Sequence, residues 1–306
     1  MKHIFVVNPM AGGHDSSDEI ANALVNIQAD IEIYRTRGTR DATRFVAERL
    51  RDASEPLRFY SCGGDGTLNE VVSGIMQSLT TNHLTLNTEV ACFPCGSGDD
   101  FVRYWSEADF RNIGALVNGT AVPVDVMRLG DRYCVNTLNY GFEAAVCHTM
   151  AAVRRVPVLG GPMAYTTGIV ASLATGRHNL CRVTVDGEVW LDGEVLLLSV
   201  ANGQYAGGGY HCAPRAKNDD GQLEVMAVKP MSIPRFAKLI KYYKNGELLD
   251  REELRQLVSY RRGSHIEIDP LGDSYVATDG EIVPSSRFDV ECLHHAVNFV
   301  VPKFRS

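Results

Sequence analysis

No stretch of this 306-residue chain is apolar over the ~20 residues a membrane-spanning helix needs; the longest largely apolar run, Val195–Ala201, has the length of one strand. Contact with lipid is therefore expected only from the surface. Positive charge is also in short supply. Lys and Arg total 30 against 37 Asp and Glu, a net charge of −7, which argues against a surface that tracks nucleic acid along its whole extent and leaves room only for local basic patches. The start, MKHIFVVNP, has too short an apolar stretch for a signal sequence, so a cytoplasmic protein is expected. Metal-finger spacing is missing, because Cys92 and Cys95 form a single C-x-x-C with no second pair to complete a site. The eight cysteines read as reduced core residues. Neither G-x-x-x-x-G-K-[ST] nor a complete G-x-G-x-x-G occurs, which excludes a Walker loop and a Rossmann fingerprint. No repeat with a period of ~20 to 50 residues is visible.

What is present is 45% hydrophobic, enough for two ordinary cores. Residues 1–122 alternate short apolar runs with amphipathic stretches, the pattern of a parallel α/β sheet with crossover helices. The strands expected are His3–Val7, Ile31–Arg35, Leu57–Ser61 and Glu89–Phe93. The helices between them turn Ile20, Ala23, Leu24 and Ile27, then Phe45, Val46 and Leu50, then Leu68, Val71, Val72, Ile75, Met76 and Leu79 inward. Residues 123–294 change to short β-rich segments separated by Asp-Gly and Asn-Gly turns, an antiparallel β-sandwich interrupted by helices at Met163–Ala174 and Pro234–Val258. The last run, within residues 295–306, is strand-like and is expected to return to the first domain.

Three of the four α/β strands end in glycine-containing turns, NPMAGG, GGDGT and PCGSGDD, and parallel strands place such turns on one sheet edge. Glycine lets backbone amides approach a ligand, and the helix start that follows favours an anion, so Gly63, Gly64, Gly66 and Thr67 suit a phosphate cradle. Asp65 sits where a bare anion cradle does not want negative charge, unless a divalent metal offsets it. A nucleotide carried with Mg²⁺ meets that condition. Gly96, Ser97 and Gly98 repeat the logic at the neighbouring strand, followed by Asp99 and Asp100, and Asn8 with Gly12 supplies a third wall.

NPMAGG, CGGDGTLNEVVSGI, FPCGSGDDFVR, NYGFEAAV, APRAKNDDGQLEV and TDGE, in this order and over nearly the whole chain, resemble the diacylglycerol kinase catalytic family, which includes bacterial soluble lipid kinases and the sphingosine and ceramide kinases. GGDGT is shared with NAD kinases and 6-phosphofructokinases, and the later motifs favour the lipid branch. The resemblance implies an α/β nucleotide domain joined to a β-sandwich, ATP in the cleft between them, and a lipid substrate met through transient membrane-surface contact, with a homodimer left open. It places nucleotide contacts on Asn8, Thr36, the segment from Gly63 through Asn69 to Glu70, and on Gly96 and Ser97. Thr36 is included because it stands five residues before Asp41-Ala42. A structural Mg²⁺ is implied at Asp220, with the carbonyls of Lys217 and Gln222 as co-ligands and Asp219 as a competitor. One departure is plain: the family has G-T-G-N-D-F where this chain has GSGDDF, so Ser97 keeps a hydroxyl while Asp99 replaces an amide that could donate.

A kinase of this kind needs one carboxylate to take the acceptor hydroxyl's proton, and the resemblance selects Asp279 and Glu281 without choosing between them. DGE occurs three times, at Asp186, Asp192 and Asp279, and Asp-Gly between apolar runs is itself a hairpin signal. Asp186 and Asp192 are read as a turn and as a turn or bulge. The histidines at 211, 265, 294 and 295 are read as structural, and Lys238, Lys241 and Lys244 as a solvated helix face, although they also suit a membrane-facing one. Residues 150–159 and 162–170 are apolar enough to line an acyl pocket. The alternatives are a NAD kinase and a non-catalytic lipid or nucleotide sensor on the same fold.

Overall fold

Four strands rich in Val, Ile, Phe and Tyr pair in parallel in the order β2-β1-β3-β4: β1 Lys2–Val7, β2 Ile31–Arg35, β3 Leu57–Gly63 and β4 Glu89–Pro94. The computed structural model describes residues 1–82, 88–153, 178–271 and 274–303. Helices α1 (Ser17–Leu24), α2 (Asp41–Arg51) and α3 (Asp65–Asn82) connect the strands, and a short α4 (Ile113–Val117) follows β4. Their expected apolar faces are buried, including Ile20, Phe45, Val46, Leu68, Val71 and Ile75, with one exception. Ala23 is exposed, because the buried stripe of α1 runs through Ser17, Ile20 and Leu24 and leaves position 23 to one side.

The later strands are β5 (Thr120–Leu129), β6 (Arg132–Cys134), β7 (Thr137–Gly141), β8 (Asn179–Val185), β9 (Glu188–Val195), β10 (Leu197–Ala201), β11 (Leu223–Val228), β12 (Val258–Gly263), β13 (His265–Pro270), β14 (Ser274–Thr278), β15 (Glu281–Ser285) and β16 (Phe288–Val301). Six of them form an antiparallel sheet, β12-β11-β10-β7-β14-β15. The others extend the first sheet into ten strands, β2-β1-β3-β4-β16-β13-β8-β9 with β5 and β6 attached. The two sheets face each other across a core that includes Leu138, Val183, Val200, Val225, Ile266 and Phe288.

The connection between the two halves is a strand rather than a linker. β16 pairs antiparallel with β13 from Phe288 opposite Ile268 to Glu291 opposite His265, and later parallel with β4 at Asn298 and Phe299, so one strand belongs to both cores. The 122/123 position lies inside β5, which runs alongside β16. Helix α5 (Phe142–Val153) and helix α6 (Ile233–Lys244) cover the outer face of the second sheet, packing Phe142 against Phe236. α6 is shorter than the expected helix at Pro234–Val258. Gly246, at φ +75, takes the left-handed conformation that ends a helix, and a 3₁₀ turn at Glu252–Leu254 follows. The helix expected at Met163–Ala174 and most of the apolar segments at 150–170 lie outside the described residues. No helix among the described residues is long and apolar enough to cross a membrane.

Candidate functional site

Parallel pairing puts the ends of β1, β3 and β4 on one edge, and side-chain-free backbone lets the three turns close on one another. A Cβ added at Gly96 would lie 2.5 Å from Gly64 Cα, and one at Gly12 would lie 2.4 Å from the Cys95 carbonyl oxygen. Asn8 donates its amide to the Cys62 carbonyl at 2.9 Å and its side-chain NH₂ to Thr67 Oγ1 at 3.0 Å, while the Thr36 amide reaches the Val7 carbonyl at 2.9 Å. Asn8, Thr36, Gly63–Thr67 and Gly96–Ser97 thus lie along one rim, at the N-terminus of the 18-residue helix α3. The first amides of that helix have no intrahelical acceptor, the usual setting for a bound anion. Thr67 and Asn69 are buried, and Asn69 Oδ1 accepts from Ser73 Oγ at 3.4 Å, which directs its side chain along the helix.

Asp65 does something the sequence does not announce. Its two carboxylate oxygens accept the amides of Asp100 and Phe101, each at 3.0 Å, so it fastens the second glycine turn to the first. Asp99, at φ +52, closes its own turn by accepting the Gly96 amide at 2.9 Å, a bond the family's asparagine oxygen would make equally well. The departure therefore preserves the turn and adds a charge. Burial, with the charge of Asp65 adding to it, pushes the Asp99 carboxyl up to about 6.

Asp100 was legible only as one more carboxylate in the turn, yet it holds the two halves of the protein together. It accepts the amides of Gly208 and Gly209 at 2.8 and 2.7 Å, and Arg103 pairs with it at 3.2 Å while also donating to the Gly98 carbonyl. The signal that could have found this contact is the triple glycine, Gly207–Gly209, the one such run in the sequence. Burial raises Asp100 above the ordinary carboxylate range.

The opposite wall comes from the β14–β15 hairpin. Asp279 stands at its turn with φ +46, and its carboxylate accepts the amides of Val135 at 2.7 Å, Asn136 at 3.1 Å and Thr137 at 3.0 Å. Burial outweighs these bonds, and with the Asp65 charge in the background the carboxyl rises to about 6. Glu281, at the start of β15, is partly exposed. Its charge is felt by Glu70, which is raised first by burial and caps α2 by accepting the amides of Arg40 at 2.9 Å and Ala42 at 3.2 Å. Glu281 thus acts on Glu70, and Asp65 on Asp279, so charges from the two halves of the chain bear on one another.

Asp220, Lys217 and Gln222 form a separate loop. Asp220 Oδ1 accepts the Gln222 amide at 3.2 Å, and its other oxygen is paired with Arg262, which also reaches Glu224 at 2.9 Å. An oxygen-seeking cation at Asp220 fits the donor set, although it would share that carboxylate with a guanidinium. Of the other DGE copies, Asp186 is in the β8–β9 turn as expected. Asp192 lies within β9 itself, opposite Arg182 and paired with it at 2.6 Å, because the irregularity in this ladder falls between Val183 and Thr184.

Residues 2–129 match the family model described as the diacylglycerol kinase catalytic domain, and residues 136–301 match the YegS C-terminal NAD kinase beta sandwich-like domain. The chain belongs to the diacylglycerol kinase catalytic family. Within that family it is 30% identical to a protein of Chromohalobacter salexigens named "Probable lipid kinase YegS-like", over 83% of this chain and 79% of the relative. It is 23% identical to the diacylglycerol kinase of Bacillus subtilis over 97% of this chain and 95% of the relative. A crystal structure of a diacylglycerol kinase from Bacillus anthracis shares the fold with a TM-score of 0.68 at 21% identity, covering 98% of this chain and 96% of that one. Membership makes the chain a phosphotransferase in kind, with ATP as the donor.

Proposed function

We propose that the protein transfers the γ-phosphoryl group of ATP to a hydroxyl of diacylglycerol or a similar lipid, giving a phosphatidate-type product. The observation that carries this reading is that the β14–β15 hairpin and the first domain bring carboxylates within electrostatic reach, Glu281 of Glu70 and Asp65 of Asp279, while three backbone amides hold Asp279 in place. The α3 N-terminus and the turns at Gly63–Thr67 and Gly96–Ser97 hold the phosphates, with Asn8 and Thr36 beside them. Asp65 keeps the two turns in register. Mg²⁺, when bound, neutralises phosphate charge; the mutually repelling Asp65, Asp99 and Asp100 would hold the ion carried with the nucleotide, and Asp220 with the carbonyls of Lys217 and Gln222 a structural one.

Glu281 is the better base of the pair. Asp279 has both oxygens engaged by three amides, whereas Glu281 lies partly open to the cleft. Glu281 accepts the hydroxyl proton as the new O–P bond forms and the bond from the γ-phosphorus to the bridging oxygen breaks, leaving ADP. Asp279 positions it by fixing the hairpin turn.

The acceptor is met at a membrane surface. On a chain of net charge −7, helix α6 exposes Arg235, Lys238 and Lys241 around a groove of about 350 Å³ that also contains Tyr242 and Glu253. Its buried face, Phe236, Leu239 and Tyr243, is fully used by the core, so the outer face is free to meet anionic phospholipid. Labelled ATP offered with a lipid extract, with NAD in a parallel reaction, tests the main reading. Label in a lipid identified by mass spectrometry supports it; label in NAD only, or ATP binding without transfer to any acceptor, overturns it. Flotation with anionic and zwitterionic vesicles, compared with Lys238→Glu and Lys241→Glu, tests the surface.

A further inference from the structure

The bulge in β16 builds a second polar cluster, with none of the residues assigned above to nucleotide or catalysis in it. Pairing between β16 and β5 runs to Leu293 opposite Val126 and resumes at Val297 opposite Val124, so Asp125 alone faces His294, His295 and Ala296. Consecutive residues of a regular strand point to opposite faces, which would separate two adjacent histidines. Here His295 adopts φ +51 and the two rings stack with centroids 3.6 Å apart. The bulge therefore turns both imidazoles to one side.

Asp125, fully buried, completes the cluster. Its Oδ1 lies 2.9 Å from His294 Nδ1 and accepts the His295 amide at 2.8 Å, and its Oδ2 accepts the Gly221 amide at 2.7 Å. His295 Nε2 lies 3.0 Å from the Asp219 carbonyl oxygen. The side-chain ligand atoms of Asp125, His294 and His295 all fall within 4.8 Å of one another. Ligand atoms around a tetrahedral zinc ion are separated by about 3.3 Å, as Zn–N and Zn–O distances near 2.0–2.1 Å require. The Asp125–His294 and His295–Asp219 pairs are within a few tenths of an ångström of that spacing, and an ion would draw the two pairs toward each other.

We propose that Asp125, His294 and His295, with the Asp219 carbonyl, form a binding site for a divalent transition metal, zinc in the first instance. Two imidazoles and one carboxylate suit zinc over Mg²⁺, which prefers an all-oxygen shell. The set is distinct from Lys217, Asp220 and Gln222, none of which contributes a ligand. Binding requires the lone pairs of His294 Nδ1 and His295 Nε2, so each imidazole carries its proton on the other nitrogen and any excess protons are released. The ion would tie β5, β16 and the 217–222 loop together at the point where β16 passes from one core to the other.

The test uses the full chain, stripped with a chelator and titrated with Zn²⁺ against a chromophoric competitor, with Co²⁺ as a spectroscopic probe. One Zn²⁺ per chain is expected, with the intense visible absorption of four-coordinate Co²⁺ and a raised thermal midpoint. Affinity should fall at least tenfold in His294→Ala and in His295→Ala and stay within twofold in Asp220→Asn. His294→Gln and His295→Gln, which keep a hydrogen-bonding group, control for folding: they should match the metal-free thermal midpoint of the wild type yet lose Zn²⁺. Unchanged zinc affinity in the histidine variants, displacement of Zn²⁺ by a hundredfold excess of Mg²⁺, or loss of binding in Asp220→Asn alone would overturn the assignment.

Discussion

The β8–β9 and β14–β15 hairpins turn on the same three residues, Asp-Gly-Glu, and in both the two loop residues take nearly the same left-handed φ. Asp186 and Gly187 have φ of +48 and +81, and Asp279 and Gly280 have +46 and +86. In both, the aspartate reaches across to backbone amides of another segment: Asp186 Oδ1 accepts Ser264 N at 3.0 Å and His265 N at 2.9 Å, as Asp279 does with residues 135–137. The difference is the surroundings. Asp186 is exposed, and although burial works against it, the bonds from His265 and Ser264 hold its carboxyl below the usual range. Asp279 is half-buried, its carboxylate held by three amides, and burial with the charge of Asp65 raises it to about 6. Glu188 is paired with Arg261 at 2.6 Å, whereas the charge on Glu281 bears on Glu70. An identical local motif thus serves as a plain turn in one place and as the wall of a cleft in the other, and tertiary environment alone separates them.

The sharpest way to break that comparison is to remove each glutamate's charge. Glu281→Gln should leave ATP binding by calorimetry unchanged and lower kcat by ~10² or more, and Glu188→Gln should leave kcat within about twofold. Equal rates in the two variants would return the β14–β15 turn to a purely structural role. Next come the aspartates. Asp279→Ala leaves three enclosed amides without an acceptor and should cost about 3 kcal/mol or more by denaturant unfolding, while Asp186→Ala, at the surface, should cost about 1 kcal/mol.

Acid should act on the two turns with opposite signs. The folded state holds the Asp279 proton more tightly than the unfolded chain does, so this carboxyl's contribution is fully present below about pH 4 and is lost as the pH rises through about 6, by about 3 kcal/mol at most. Asp279→Asn should abolish that loss. The Asp186 carboxyl is depressed, so its contribution is present at neutral pH and disappears as the pH falls below the ordinary aspartate value. Unfolding curves of Asp279→Asn and Asp186→Asn between pH 3 and 7 check both slopes, and parallel slopes would show that the two environments are alike.

Much of the architecture could be read from spacing because local patterns control it. The periodicity of Phe45, Val46 and Leu50 and the glycine turns at 63–66 and 96–98 specify elements that depend on near neighbours in sequence. What could not be read depends on partners far along the chain. Asp65 meets Asp100 and Phe101 thirty-five and thirty-six positions away, Asp100 meets Gly208 at a separation of 108, and Asp279 meets Val135 at 144. The same reason explains why His294 and His295 read as ordinary strand histidines: nothing in the local pattern announces that β16 would place three residues opposite Asp125. That Asp279 accepts the amides of residues 135–137 is likewise a contact across more than 140 positions.

The smallest expected effect isolates the turn from its surroundings. A Cβ at Gly187 or Gly280 meets nothing within 4 Å, so Gly187→Ala and Gly280→Ala impose only the strain of a left-handed φ on an alanine, about 1 kcal/mol in each case. The two losses in stability should agree within about 0.5 kcal/mol. Activity should not follow the same equality: if the Asp279-Gly280 turn aims Glu281 at the acceptor, Gly280→Ala lowers kcat severalfold with KM for ATP unchanged, and Gly187→Ala does not. Matching stability losses with matching kcat values would mean that the turn tolerates relaxation without moving Glu281, and that its position is set by the β14–β15 ladder instead.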